Sequence, residues 1–145
     1  MNLRQLFLSF DGRINRAQFW LVTLVALLAL APAGYASYVD PMAFTDATVV
    51  PVLGGIAAVA GIYLLLSGGV KRLHDRNKSG AWLLLFGPGA AAIQWVGDLI
   101  AYDLVMLAFS VASFAISVWY FVETGFLRGT RGANEYGPDP ATHPA

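Results

Sequence analysis

Every lysine and arginine in the chain falls on one side of four apolar segments, and that pattern sets the class of fold before any motif is read. Arg4, Arg13 and Arg16 precede the first segment. Lys71, Arg72, Arg76 and Lys78 separate the second from the third, and Arg128 and Arg131 follow the fourth. The other two connections carry Asp40, Asp46, Asp98 and Asp103 and no base. Short loops rich in Lys and Arg stay on the cytoplasmic side of a bilayer, so both termini are predicted to be cytoplasmic.

Composition supports the same class. Hydrophobic residues make up 57% of the 145 and charged ones 12%, about half the charged share of a soluble domain. The formal charge of zero averages two unlike faces. Inside, the nine bases meet Asp11, Asp75, Glu123, Glu135 and Asp139 for a surplus of +4, and the four outer aspartates give −4. A balanced total argues against nucleic-acid binding, whereas a basic inner face suits anionic lipid headgroups. Without cysteine, neither disulfides nor thiolate metal sites are available.

The predicted fold is all-α: a single membrane domain over 1–140, with a disordered tail at 141–145. Four transmembrane helices are placed at about 17–38, 49–70, 81–99 and 104–122. Before them, Leu3, Leu6, Phe7 and Phe10 form one apolar stripe on a short helix. That helix either lies in the inner interface or packs on the protein's own spans. Asn15 with Gln18 three residues on resembles a capping box opening the first span. The basic start, the run Phe19–Leu30 and the Ala29-Leu30-Ala31 at its end have the look of a signal peptide, but Pro32 is a poor cleavage context and the segment is read as a retained span. Gly54 with Ala58 and Ala57 with Gly61 suit close helix approach in the second span, as Ser110, Ser113 and Ser117 do in the fourth. Gly87-Pro88-Gly89 predicts a kink in the third, a re-entrant break being the alternative. Trp20, Trp82, Trp119 and Tyr120 mark the inner boundary and Tyr35, Tyr38 and Tyr102 the outer one.

Polar residues gather in three stretches on the inner side. Gly12-Arg13-Ile14-Asn15-Arg16 leads to Phe19-Trp20. Lys71-Arg72-Leu73-His74-Asp75 leads to Ser79-Gly80-Ala81-Trp82, and Asn134-Glu135-Tyr136-Gly137-Pro138-Asp139-Pro140 closes the series. Their order and placement resemble a widespread family of small bacterial inner-membrane proteins classed as a domain of unknown function, the one numbered 805. The resemblance implies an inner-membrane location and singles out Gly12, Arg13, Arg16, Phe19, Trp20, Arg72, Leu73, His74, Asp75, Ser79, Gly80, Trp82, Asn134, Tyr136, Gly137, Pro138 and Pro140. It implies no reaction. Lys71 stands where the family often has arginine and Ala81 where tryptophan is common.

His74 and Asp75 are the candidate catalytic pair, since histidine titrates near neutrality. Neighbours on a helix point about 100° apart, however, and with Ser79 all three would come from six consecutive residues with no evident oxyanion site. His74 and His143 are the two histidines, and no ligand spacing for a metal is present; no cofactor is implied. A better-supported arrangement joins Arg13, Arg16, Arg72, Asp75 and Glu123 in a network tying the inner helix ends together, with Asn134 and Tyr136 docking the tail. Transport is disfavoured, because no ionisable side chain sits at mid-span, where Gln94 is the lone amide; an oligomer lined by the serine face is the remaining carrier reading. The expectation is a non-catalytic interaction or scaffold module whose basic face meets anionic lipid, a protein partner or a second copy. An enzyme working through His74 and Asp75 is the rival.

Overall fold

The computed structural model describes residues 2–39, 49–100 and 102–141. Asp40, Asp46, His143 and the tail beyond Ala141 lie outside the described residues. Among the described residues the fold is all-helical, apart from one antiparallel bridge between Asn134 and Gly137. The elements are α1 (Leu3–Leu8), α2 (Arg16–Val39), α3 (Val49–Asp75), α4 (Trp82–Leu84), a π-helical turn (Leu85–Gly89), α5 (Ala90–Asp98) and α6 (Asp103–Gly125).

Helix starts follow local chemistry. In α1 the Asn2 side chain accepts from the Gln5 amide at 2.8 Å while Gln5 accepts from the Asn2 amide at 3.3 Å. At α2, Asn15 and Gln18 repeat this reciprocal arrangement at 2.9 and 3.0 Å. Each box satisfies two amides that a helix start leaves without carbonyl partners. The end of α3 is closed by Asn77 in the left-handed region at φ 55°. There Lys78 N–H donates to Leu73 and Asn77 N–H to His74, both at 2.9 Å, the paired bonds of a Schellman ending.

Among the described residues three helices are long and apolar enough to cross a membrane, within Arg16–Tyr35, Val52–Asp75 and Asp103–Gly125; the sequence pattern predicts four. The third apolar segment fails as a continuous span because it is built in pieces of 3, 5 and 9 residues. Pro88 has no amide hydrogen to donate, and the chain widens into a π turn around it instead of breaking. The interruption is thus of the kink type: backbone on both sides stays helical, and α5 packs along α6.

A second difference concerns helix ends. α3 continues five residues past the expected boundary, so Lys71-Arg72-Leu73-His74-Asp75 forms its last turns and not a loop. Burial explains the extension, for Lys71, Arg72 and Leu73 are all fully enclosed. The start of α2 and the ends of α3 and α6 meet at one end of the bundle, through Arg72 bonds to the Ile14 and Thr124 carbonyls. The stretch 82–98 therefore leaves that end at Trp82 and reaches the far end at Asp98, where α6 begins.

Small residues make the seams. A Cβ on Gly61 would lie 2.7 Å from Leu30 Cγ and 2.9 Å from the Ala26 carbonyl, so α2 and α3 touch backbone to side chain there. On the other side Gly97 faces Phe109, Ser113 donates to the Ala90 carbonyl at 3.0 Å, and Gln94 donates to Ser110 at 3.2 Å. Ser110 and Ser113 thus face α5, which occupies the surface that a serine-lined pore would need. The buried apolar cluster, Leu6, Ile14, Phe19 and Val22, gathers at the polar end with Phe7 and Leu64 packed against it.

Candidate functional site

The site is built around one carboxylate. Asp75, at the last turn of α3, is 3% exposed and takes Arg13 on one oxygen and Arg72 on the other. Arg13 Nε and Nη2 reach Oδ1 at 3.1 and 3.0 Å. Its remaining donors go to the carbonyls of Thr130 (2.6 Å), Gly132 (2.6 Å) and Gly137 (3.2 Å). Arg72 donates to Asp75 Oδ2, to Thr124 at 2.7 Å, to Ile14 at 3.5 Å and to the Leu127 carbonyl. Two guanidiniums thus bind one carboxylate and six backbone carbonyls from three separate parts of the chain. Arginine suits this position because its fixed fork spreads five donors in a plane, which lysine cannot do.

The tail completes the arrangement. Thr130 N–H and Oγ1 both donate to the Asp75 carbonyl, at 2.8 and 3.0 Å. Asn134 Nδ2 donates to the His74 carbonyl and to Thr130 Oγ1, both at 2.9 Å. The Tyr136 ring stacks on His74 with centroids 3.9 Å apart and planes 6° from parallel. Gly137, at φ 131°, adopts backbone that L side chains avoid, and this geometry turns its carbonyl onto Arg13. Gly12 does the same at φ 86°, its carbonyl meeting His74 Nδ1 at 3.2 Å. Asp139 accepts from the Gly132 and Ala141 amides at 3.0 and 2.9 Å, and those bonds, the Ala141 one foremost, hold its carboxyl below the usual range.

The other expected residues divide into those drawn into this arrangement and those outside it. Trp20 donates from its indole to the Gly125 carbonyl at 3.2 Å. Arg16 is exposed and bonds the Phe126 carbonyl at 3.2 Å, so it belongs to the rim and not to the Asp75 network. Glu123 likewise stands apart from Asp75, pairing with Arg76 and Lys78, each at 2.9 Å. Its separation has a simple cause: the guanidiniums of Arg13 and Arg72 are already filled by Asp75 and carbonyls. Gly80 packs under Val70, where a Cβ would lie 3.0 Å from Cγ1. Ser79 is exposed and its hydroxyl accepts from the Ala81 amide. Trp82 lies edge-on to Trp119 at 5.7 Å with Lys78 above it at 5.1 Å, and Pro138 is exposed beside Gly137.

Two participants were not singled out by sequence. Lys71 is fully buried and donates to the carbonyls of Gln5 and Leu6, fastening the C-terminal end of α1 to α3. A cation there suits the negative end of a helix dipole. Gly129 sits so close to Asp75 that a Cβ would fall 1.9 Å from Oδ2. Among the described residues no three His, Asp or Glu side chains converge as metal ligands. His74 Nδ1 faces a carbonyl while one ring face is covered by Tyr136. The arrangement can hold helix ends and tail in register, and it leaves Arg16, Arg128 and Arg131 facing outward.

Comparison with known proteins agrees with this geometry in its extent. The family described as Protein of unknown function (DUF805) matches residues 7–138, a range that includes every residue of the Asp75 network. Uncharacterized protein YiiR of Escherichia coli strain K12 is 32% identical over 152 residues, covering 96% of this chain and 90% of the relative. Inner membrane protein YhaI of the same strain is 26% identical over 134 residues, covering 92% and 87%. No solved structure matches the chain. With the match extending over nearly all of its length, the chain belongs to the family of proteins of unknown function numbered 805.

Proposed function

We propose that this protein is a non-catalytic module of the bacterial inner membrane, whose basic cytoplasmic face engages anionic lipid or a protein partner. Its likeness to a protein named inner membrane protein YhaI and its three long apolar helices support the location. In this reading the interrupted stretch 82–98 completes a fourth crossing, since it joins opposite ends of the bundle. An even number of crossings puts both termini on the side where the bases collect. α1 lies at that interface, with Leu3 and Leu8 exposed toward lipid and Leu6 turned inward.

One observation carries the non-catalytic reading: both oxygens of the Asp75 carboxylate are held by buried guanidiniums. A general base needs a lone pair within reach of substrate, and both oxygens of Asp75 are engaged. The rival enzyme would rest instead on His74, whose Nδ1 faces the Gly12 carbonyl and one ring face of which Tyr136 covers.

The test is native mass spectrometry of the protein released from membranes in mild detergent. A stoichiometric anionic phospholipid or protein held on the folded chain is the expected result. A bare folded chain overturns the binding reading.

A further inference from the structure

Two adjoining spaces lie on the side of the bundle where α2 begins and α6 ends. The first is a cavity of about 220 Å³ whose walls include Asn15, Arg16, Arg128, Thr130 and Arg131. The second is an open groove of about 470 Å³ lined by Asn15, Arg16, Ala17, Trp20, Gly125 and Phe126. They share Asn15 and Arg16 as a common wall. Beyond that shared wall the first space is lined by further arginines and the second by Ala17, Trp20, Gly125 and Phe126, and the Trp20 ring meets Phe121 edge-on at 5.7 Å.

We propose that this pair of spaces binds one anionic phospholipid, its phosphate in the arginine-lined cavity and an acyl chain along the Trp20–Phe126 groove. The inference rests on reading the basic face as a lipid contact and gives that contact a location and a ligand class.

Charge balance supports it. Four arginines (Arg16, Arg72, Arg128 and Arg131) line the cavity against two carboxylates, Asp75 and Asp139. Both carboxylates are committed, Asp75 to Arg13 and Arg72 and Asp139 to backbone amides. Arg72 spends its donors internally. Arg128 and Arg131 are exposed and pair with no carboxylate among the described residues, and Arg16 makes one bond, to Phe126. Three guanidiniums therefore face a small cavity with donors to spare, the setting in which arginine grips phosphate oxygens bidentately. The cavity falls short of the ~300–1,000 Å³ of sites that enclose a drug-sized ligand, so it suits a headgroup whose remainder lies elsewhere. The groove supplies that elsewhere: its Trp20 and Phe126 are 38% and 54% exposed, aromatic rings of the kind that favour the acyl–headgroup boundary.

The experiment places the full-length protein in mixed phosphatidylglycerol–phosphatidylcholine nanodiscs, ejects it for native mass spectrometry and counts retained lipid. The wild type should hold one phosphatidylglycerol in preference to phosphatidylcholine. The double variant R128Q/R131Q should retain it about 25-fold less at an unchanged unfolding midpoint, taking ~1 kcal/mol for each arginine at a lipid surface. Ala17→Trp, which fills the groove and leaves the arginines intact, should also release it. Retention undiminished in R128Q/R131Q would overturn this site while leaving the module reading standing. No retention by the wild type would overturn this site together with the lipid half of the module reading, leaving a protein partner for the basic face. Displacement of the lipid by glycerol 3-phosphate or inorganic phosphate at millimolar concentration would overturn the acyl-chain half and assign the cavity to a soluble phosphate.

Discussion

The polar end of the bundle and the helix seams beyond it are held together by opposite means. At the end, Arg13, Lys71, Arg72, Asp75 and Glu123 are each no more than 4% exposed and each held by ion pairs or hydrogen bonds. Along the seams there is almost no buried polar chemistry; contact is made by glycines such as Gly61 and Gly97 pressed against larger side chains. Lipid is as apolar as leucine, so burying apolar side chains between helices in a bilayer gains little. Close packing can hold two helices side by side, but it does not select a single axial register. The ionic end does: a guanidinium that must meet carbonyls from Thr124, Ile14 and Leu127 together tolerates no slippage between α2, α3 and α6.

Removing the central carboxylate should break this contrast most severely. Asp75→Asn leaves Arg13 and Arg72 buried beside each other without a counter-charge, and breaking a buried pair in this way costs about 3–5 kcal/mol. The variant is expected to lose most of its membrane accumulation and to unfold at much lower denaturant. Normal accumulation with normal stability would mean that the buried arginines are not what holds the helix ends.

Gly129→Ala attacks the same point by bulk instead of charge. Its Cβ would fall 1.9 Å from Asp75 Oδ2, so the tail must lift or Asp75 must rotate out of its two arginines. A loss of about 1–3 kcal/mol is expected from overpacking, with more where ion pairs break. Gly61→Val tests the seam. It crowds Leu30 Cγ and the Ala26 backbone carbonyl, so α2 and α3 must separate slightly, but it breaks no ion pair. Its cost should stay within the same ~1–3 kcal/mol range, below that of Gly129→Ala. Equilibrium unfolding in a fixed detergent mixture ranks the two; if Gly61→Val proved the more damaging, packing and not the ionic end would dominate stability.

These variants also mark what the sequence made legible. The class of fold and the meeting of Arg13, Arg72 and Asp75 follow from where bases lie relative to apolar segments, which is a one-dimensional signal. The tail's docking through Asn134 and Tyr136 was visible as a polar motif that topology returns to the same end. Gly129 was not visible, because its importance lies in how near Asp75 comes, and nothing in Leu127-Arg128-Gly129-Thr130 encodes that distance. Lys71 was read as a substitution for arginine, although its burial depends on α1 folding back across α3 from far away in sequence. The Gly87-Pro88-Gly89 signal located the interruption and its kink type but not the π turn that forms it, which leaves no continuous third span, so that three helices of spanning length stand among the described residues where the sequence pattern predicts four.

The smallest expected effect is also the one that separates a structural histidine from a catalytic one. His74 contributes a ring face to Tyr136 and Nδ1 to the Gly12 carbonyl, and both contacts lie at the rim of the network where the ring is half-buried. An aromatic pair of this kind is worth about 0.5–1.5 kcal/mol beyond its burial, so His74→Gln should cost about 1 kcal/mol and leave accumulation intact. Tyr136→Leu should cost a similar amount. The double variant should cost less than the sum, because the stack can be lost once only; a double-mutant cycle measures that shortfall directly. Full additivity would show that the two rings do not stabilise each other. In that case the tail would be held at its other attachments, Asn134 to the His74 carbonyl and Arg13 to the Gly132 and Gly137 carbonyls, which depend on the backbone of His74 and not on its ring.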